Sequence, residues 1–381
     1  MKQNFRFHVL GVPHTRTNLD YTHCAYTQKV FKFCKMMYRR GHTVYHYGVE
    51  GSNPECTENV TVVSNEIYDK VYGSTPKQGP YPFNGEDECY QTFYKNAIDE
   101  IFRRKMPLDI ILPFWGYGTK PICDAHPDLI TIEPGIGYTD VFSEYKIYES
   151  YAWLNCHLVP DARPSWYETV IPNYFDLDDF EFKDNYEERR RDPYFLYVGR
   201  VGECKGVSIA IDVCKELGIR LVIAGSLNDQ FIDYEWPENV TYVGPVGVER
   251  RKELMSGAIA SFMPSVYNEP FGGVQVENYL SGTPVISTDF GVFSETIQNG
   301  VNGYRCLTYD DFVRAALDCL DGKIRYSECR RIGEQYSLEN IAPRYEKFFT
   351  DVINIYTDNG WYTLYDDTRR RLEALRGNCE H

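Results

Sequence analysis

Residues 262–288, FMPSVYNEPFGGVQVENYLSGTPVIST, constrain the fold of this chain more tightly than any other stretch. An apolar strand over Ala258–Met263 runs into a loop, then Glu269-Pro270-Phe271-Gly272-Gly273, then a helix that carries Glu277 and ends at Gly282. A second apolar strand, Pro284–Ser287, follows. Strand, helix and strand in close succession are the pattern of a parallel α/β sheet. The two glycines open the helix, whose first N–H groups and positive dipole end suit an anion such as a pyrophosphate. Ionised carboxylates suit sugar hydroxyls, because they accept hydrogen bonds strongly. With residues 272–277 helical, Glu277 lies roughly 8 Å along the axis from the anion seat. One short stretch thus sets a phosphate seat between two hydroxyl binders, a template for a nucleotide sugar.

A chain of 381 residues exceeds the size at which single cores stop growing, so two domains are expected. The first strand covers residues 5–10, and Gly11 opens the loop behind it. A helix over Tyr21–Arg40, closed by Gly41, puts Tyr26, Val30, Phe33, Cys34 and Met37 on one face. Its basic flank, with Lys29, Lys32 and Lys35, is expected to be a solvated face, with contact to an anionic acceptor or membrane surface as the alternative. Strands over 43–47 and 60–63 come next, then a Pro/Gly-rich loop, Gly73–Gly85, long enough for a substrate-side flap. A helix over 87–105 and strands over 109–112, 129–132 and 155–160 complete the first sheet. Ligands on such sheets gather at the carboxyl ends of the strands. The loops at Gly11, Pro113–Gly118 and Glu133–Tyr138 lie on that edge.

Around 170–193 the composition turns charged and proline-bounded, which marks a flexible interdomain linker. Asp176-x-Asp178 matches a divalent-metal motif, but it continues into further acidic residues instead of ending a buried strand. A solvated linker is therefore expected there, and no metal site. The boundaries become 1–172 for the first domain, 173–193 for the linker and 194–352 for the second domain. Residues 353–381 form a C-terminal helix, with Trp361, Leu364, Tyr365, Leu372 and Leu375 at helical spacing.

The second domain opens with strand Tyr194–Val198, which ends in Gly199-Arg200, and Lys205-Gly206 starts the helix behind it. Strand 220–224 ends at Gly225, and Val243 closes strand 240–243. The string V-G-R-x-x-x-x-K-G, followed by E-x-F-G-G-x-x-x-E and S-G-T-P-V-I, resembles the signature of retaining glycosyltransferases of family 4. The resemblance implies the GT-B architecture: two Rossmann-like α/β domains facing each other across a cleft, with a C-terminal helix crossing back to the first. It also implies that Arg200 and Lys205 bind the donor diphosphate, neutralising charge on the leaving group as a metal does elsewhere. Glu269 would contact the donor sugar, Glu277 the ribose hydroxyls, and the amides of Gly272 and Gly273 the diphosphate. Gly11, Gly225, Val243 and Phe271 would line the same donor, and Arg200, Lys205 and Glu269 would be the catalytic residues. The implied donor is a nucleoside diphosphate hexose, GDP-mannose ahead of UDP-sugars, with no metal and no tightly bound cofactor. The implied acceptor is a glycan, a glycoprotein or another hydroxyl compound.

The first domain departs from the family. Many members place a histidine at a strand end in a T-x-H-like string, where this chain has Thr131-Ile132-Glu133. No other histidine takes that role: His126 precedes a proline in a loop and His157 falls in the expected strand. The double glycine of the first loop is also missing after Gly11. Two other functions stay open, a same-fold nucleotide-sugar 2-epimerase and a non-catalytic sugar-nucleotide sensor. An NAD-dependent oxidoreductase is disfavoured, because no G-x-G-x-x-G follows a predicted strand. A net charge of −15 opposes nucleic-acid binding. No run approaches the roughly 20 apolar residues of a membrane span. The 12 cysteines stand at irregular spacings and the N-terminus enters a strand directly, so reduced thiols and a cytoplasmic location are expected. The 32 tyrosines and these thiols also resemble glycosyltransferases encoded by large algal viruses, which would act in the host cytoplasm.

Overall fold

The computed structural model describes residues 3–74, 83–158 and 167–357. The first sheet has seven strands: β1 (Arg6–Leu10), β2 (Thr43–Val49), β3 (Glu58–Val63), β4 (Ile110–Pro113), β5 (Ile130–Ile136), β6 (Tyr145–Tyr148) and β7 (Glu168–Val170). Their spatial order is β3-β2-β1-β4-β5-β6-β7. The second sheet has six: β8 (Tyr194–Val198), β9 (Arg220–Ala224), β10 (Val240–Gly244), β11 (Ala260–Met263), β12 (Val285–Thr288) and β13 (Gly303–Cys306). Their order is β10-β9-β8-β11-β12-β13. The pairings are parallel, as near-continuous apolar strands buried on both faces require. In each sheet the order reverses beside its first strand, between β1 and β4 and between β8 and β11. Such a switch point opens a crevice at the carboxyl ends of the strands.

Capping side chains fix where helices begin. Asp87 accepts from Tyr90 N at the start of the helix Glu88–Arg104, and Thr308 with Asp311 forms a capping box before Tyr309–Leu320. The helix Leu338–Thr357 then crosses back. It brings Leu338, Ile341, Tyr345, Phe349 and Val352 into the first core, with Phe349 ring to ring against Phe7 at 4.9 Å. Burying each of these side chains contributes on the order of 2 kcal/mol. The return therefore begins well before residue 353, inside the span assigned to the second domain. The expected Trp361–Leu375 helix and residues 75–82 of the expected flap lie outside the described residues.

Of residues 155–160, expected as a strand, 155–158 belong instead to the helix Tyr151–Leu158, so His157 is helical, and 159 and 160 lie outside the described residues. A short apolar run fits strand or helix equally by period. Here the caps decide it. Ser150 Oγ accepts from Trp153 N, and the Glu295 carboxylate accepts from Tyr151 N and Ala152 N. The sheet is completed by β6 and β7.

Segment 173–193 is anchored to the second domain at several points. Phe175 and Phe180 are buried in the second core. Arg189, 3% exposed, donates to the carbonyls of Ala258, Lys183 and Ser281 and to Thr283 Oγ1. Asp176 is paired with Lys35 and is not a solvated residue. The basic flank of the first helix, now Ala25–Arg39, is not a solvated face either. Lys29 pairs with buried Glu149, and Lys32 and Lys35 reach Asp179 and Asp176. These cations meet partners that local sequence cannot place beside them.

Candidate active site

The site is built from the loops at the carboxyl ends of β8, β9 and β11. Beyond β8 the chain turns through Gly199 and exposed Arg200 into a single turn, Glu203–Lys205, and then the helix Val207–Leu217. Gly206 closes that turn with φ of 67°, and a Cβ there would stand 1.9 Å from Pro264 O. Only glycine lets the loop after β8 pass so close to the loop after β11. That approach brings Lys205 to Glu269.

Glu269 is 5% exposed and fully engaged. Its Oε1 accepts from Lys205 Nζ at 2.5 Å and from Ser265 Oγ at 2.7 Å, and its Oε2 accepts from Tyr267 OH at 2.7 Å. Lys205 Nζ also donates to Tyr267 OH at 2.5 Å and lies 4.7 Å from the centre of its ring. Burial, with Glu269 beside it, pushes the Tyr267 phenol well above its usual range, while the Arg200 charge acts in the opposite direction. Tyr267 therefore stays a proton donor to Glu269. Ser265 and Tyr267 were not picked out as site residues. Both lie within four positions of Glu269 in the loop after β11, where a hydroxyl can reach its carboxylate.

The helix carrying the second carboxylate spans Val274–Leu280. Gly272, at φ of 67°, turns the chain into it, and Gly273 forms its N-cap. Gln275 N, Val276 N and Glu277 N already donate to Gly272 O and Gly273 O, so the amides offered at the entry are those of Gly272, Gly273 and Val274. Gln275 ties this entry down, donating to Phe271 O at 2.5 Å and accepting from Thr296 Oγ1 at 2.6 Å. Glu277 faces Arg251 Nε at 3.5 Å, and its Oε2 is buried without a hydrogen-bond partner. Arg251, on the helix Val248–Gly257, gave no signal in the sequence because its pairing is made across two helices.

The remaining expected residues divide. Gly225 N donates to Gly244 O at 2.9 Å, and Val243 packs beside Leu196 and Val222, so both sit at the β9–β10 edge of the site. Phe271 turns its ring into the core, stacked 6.4 Å from Phe175 and edge-on to Tyr336. Gly11 N donates to Tyr47 O at 2.8 Å, at the switch point of the first sheet. Glu133, where the family's histidine would stand, folds back on its own loop. It accepts from Phe142 N at 2.9 Å, Ser143 N at 2.7 Å and Tyr138 OH at 3.1 Å. The first domain instead meets the motif loop through Ser150, whose Oγ donates to Pro270 O at 2.6 Å, and through Cys156, whose sulfur accepts from Asn268 Nδ2 at 2.7 Å.

Two Rossmann-like domains meeting at the carboxyl edges of their parallel sheets define the GT-B fold. Residues 178–336 match the family of glycosyl transferases group 1. An uncharacterised glycosyltransferase, MJ1607 of Methanocaldococcus jannaschii, is 32% identical over 152 residues, 36% of this chain and 39% of that protein. Glycogen synthase of Mycobacterium tuberculosis is 33% identical over 153 residues, 37% of this chain and 36% of that protein. The O-antigen chain mannosyltransferase RfbU of Salmonella typhimurium is 30% identical over 141 residues, 35% of this chain and 38% of that protein. The chain thus spans less than two fifths of each of these relatives. The fold is that of AviGT4, a glycosyltransferase involved in avilamycin A biosynthesis, with a TM-score of 0.65 and 19% identity over 92% of this chain and 98% of that one. Anabaena Alr3699/HepE in complex with UDP and glucose superposes with a TM-score of 0.62 and 14% identity over 91% of this chain and 100% of that one.

Proposed function

We propose that this protein is a glycosyltransferase that moves a sugar from a nucleoside diphosphate sugar to a hydroxyl acceptor. One observation carries the reading: buried Glu269 and partly buried Glu277 flank the Gly272–Gly273 helix entry, and Lys205 is drawn onto Glu269. A diphosphate at that entry meets backbone amides and the cations Arg200 and Lys205. Those cations stabilise the charge that builds on the leaving diphosphate. Glu269, oriented by Ser265 and Tyr267, accepts from hydroxyls of the transferred sugar. The carboxylate of Glu277, ion-paired with Arg251 at 3.5 Å but with no hydrogen bond to its Oε2, accepts from a ribose hydroxyl.

The finer reading is a retaining, metal-independent transfer of a hexose. The bond to the diphosphate breaks and the new glycosidic bond forms on the same face, while a departing phosphate oxygen takes the acceptor proton. Such a step needs no protein nucleophile. The mannosyltransferase among the similar proteins supports mannose, with GDP kept as the expected base, whereas the UDP and glucose in a structural neighbour support UDP-sugar as the second choice. The expected acceptor is a glycan or glycoprotein, and the glycogen and O-antigen chain in the names of these relatives support the glycan.

The test is calorimetric titration with GDP, UDP and ADP, followed by product analysis with GDP-mannose and UDP-glucose. Nucleoside diphosphate release with a new glycoside of unchanged anomeric configuration is expected. Absence of nucleotide binding would overturn the reading, as would release of an epimerised nucleotide sugar with no acceptor present.

A further inference from the structure

A cavity of about 290 Å³ lies where β12 and β13 end, with Thr288, Asp289 and Phe290 on one side and Leu307 and Tyr309 on the other. Val266, from the loop after β11, completes its wall. In the chain Val266 stands between Ser265 and Tyr267, the two hydroxyls that hold Glu269. Its N donates to Cys204 O at 2.9 Å, next to Lys205, and Thr288 Oγ1 donates to Ser265 O at 2.7 Å. Gly291, at φ of 60°, turns the chain after Phe290, and a Cβ there would stand 2.5 Å from Asn268 Oδ1. The cavity is thus braced against the loop that carries Glu269.

Its rim is apolar and open to water. Leu307 is 77% exposed, Val266 55%, Tyr309 42% and Phe290 41%. Large apolar side chains left together in water mark an interaction site. Among the described residues that line the cavity, Asp289 alone is charged, and Arg305 Nη1 stands 3.3 Å from its Oδ1. A carboxylate there accepts from hydroxyls and repels phosphates and other acids. Apolar walls, two aromatic rings and one carboxylate suit a neutral sugar ring, whose C–H faces pack on the rings while a hydroxyl donates to the acid. Small-ligand sites run to roughly 300–1,000 Å³, and this cavity lies at the small end, the size for one ring and not for a whole nucleotide.

We propose that this cavity holds one sugar unit of a neutral glycan, separate from the unit that reacts beside Glu269, and so tethers the acceptor to the second domain. The inference rests on the reading of the protein as a glycosyltransferase with a glycan acceptor. A chain held at one unit presents its reacting end at a raised effective concentration. Longer acceptors therefore bind better than short ones that cannot span both places.

The test is titration calorimetry of the full chain with maltohexaose and a linear α-mannohexaose, with amide hydrogen exchange to place the ligand. Wild type should bind at least one of them, with protection over residues 288–292 and 306–310. Phe290→Ala should weaken that binding about tenfold, through loss of the stacking ring. Asp289→Asn should weaken it about fivefold, through loss of the charged acceptor. Affinity for GDP and UDP should stay within about twofold of wild type in both variants, because the nucleotide seat is a separate site. Leu307→Ser serves if Phe290→Ala does not fold, with a loss of oligosaccharide affinity again expected. Equal oligosaccharide affinity in wild type and Phe290→Ala, or protection confined to the first domain, would overturn the inference. So would sodium octanoate protecting the same amides when neither oligosaccharide does, which makes the cavity an acyl site. Self-association that disappears in Phe290→Ala, without oligosaccharide binding, would make it an interface between copies and overturn the inference as well. Nucleotide binding without oligosaccharide binding fails this inference alone. Oligosaccharide binding at the cavity without nucleotide binding fails the proposed function alone.

Discussion

Lys205 Nζ stands 2.5 Å from Glu269 Oε1, so the cation expected at the diphosphate and the carboxylate expected at the sugar form one pair. Their Cα atoms are carried by loops after different strands, β8 and β11, brought together where Gly206 passes Pro264. A diphosphate entering the site competes with Glu269 for Lys205. The carboxylate can yield its cation because Ser265 and Tyr267 still donate to it.

Lys205→Met should therefore leave a folded protein with a weakened donor site. Loss of a hydrogen bond to a charged group costs about 1.5–3 kcal/mol, and nucleoside diphosphate affinity should fall by that amount. Titration calorimetry measures this, and thermal melting reports the fold. A variant that binds GDP and UDP as wild type does would remove Lys205 from the diphosphate site.

The two carboxylates should separate by ligand. Glu277→Ala should weaken binding of bare nucleoside diphosphate by about 1.5–3 kcal/mol, the scale for a charged hydrogen bond. Glu269→Ala should leave that affinity nearly unchanged and lower turnover of the intact donor. Equal losses of bare-nucleotide affinity in both variants would mean the roles are misassigned.

Nucleotide affinity should survive excess chelator. Asp176 of the D-x-D string is occupied by Lys35, and no group of three or more His, Cys, Asp or Glu side chains suited to a metal occurs among the described residues. Affinity lost in EDTA and restored by Mg²⁺ or Mn²⁺ would return a metal to the site.

Stability should fall as the medium is acidified from about pH 6.5 towards pH 4. His14 and His46 are buried, and burial lowers each from 6.5 to about 4. Between those values the unfolded chain binds protons that the folded chain does not, so unfolding gains with every step down in pH. The bonds of His46 fit its neutral form, with one nitrogen facing Asn59 Oδ1 at 2.6 Å and the other Thr17 Oγ1 at 3.0 Å. Urea midpoints measured from pH 7 to pH 4.5 should decline, and less steeply in His46→Gln. A flat midpoint across that range would contradict the burial of both rings as neutral groups.

Local pattern alone determined a good deal of this protein. The apolar strands on either side of 264–284 and the helix between them follow from residues close to one another in the chain, whereas Glu269, Glu277, Arg200 and Lys205 were singled out by motif strings that resemble a family's signature. Period, caps and turn glycines act over that short range. The alternation of strand and helix likewise determined two parallel sheets. Residues 151–158 show where this stops. Their period suits either element, and helix prevails because Glu295, 144 residues away from Tyr151, accepts from the first amides. Lys29, Lys32 and Lys35 read as a solvated basic stripe until the fold sets Glu149, Asp179 and Asp176 against them. Tertiary structure alone decided which cation meets which carboxylate, and from which domain. Such pairings depend on how separate elements pack, and no short-range pattern records the position of a partner more than a hundred residues away.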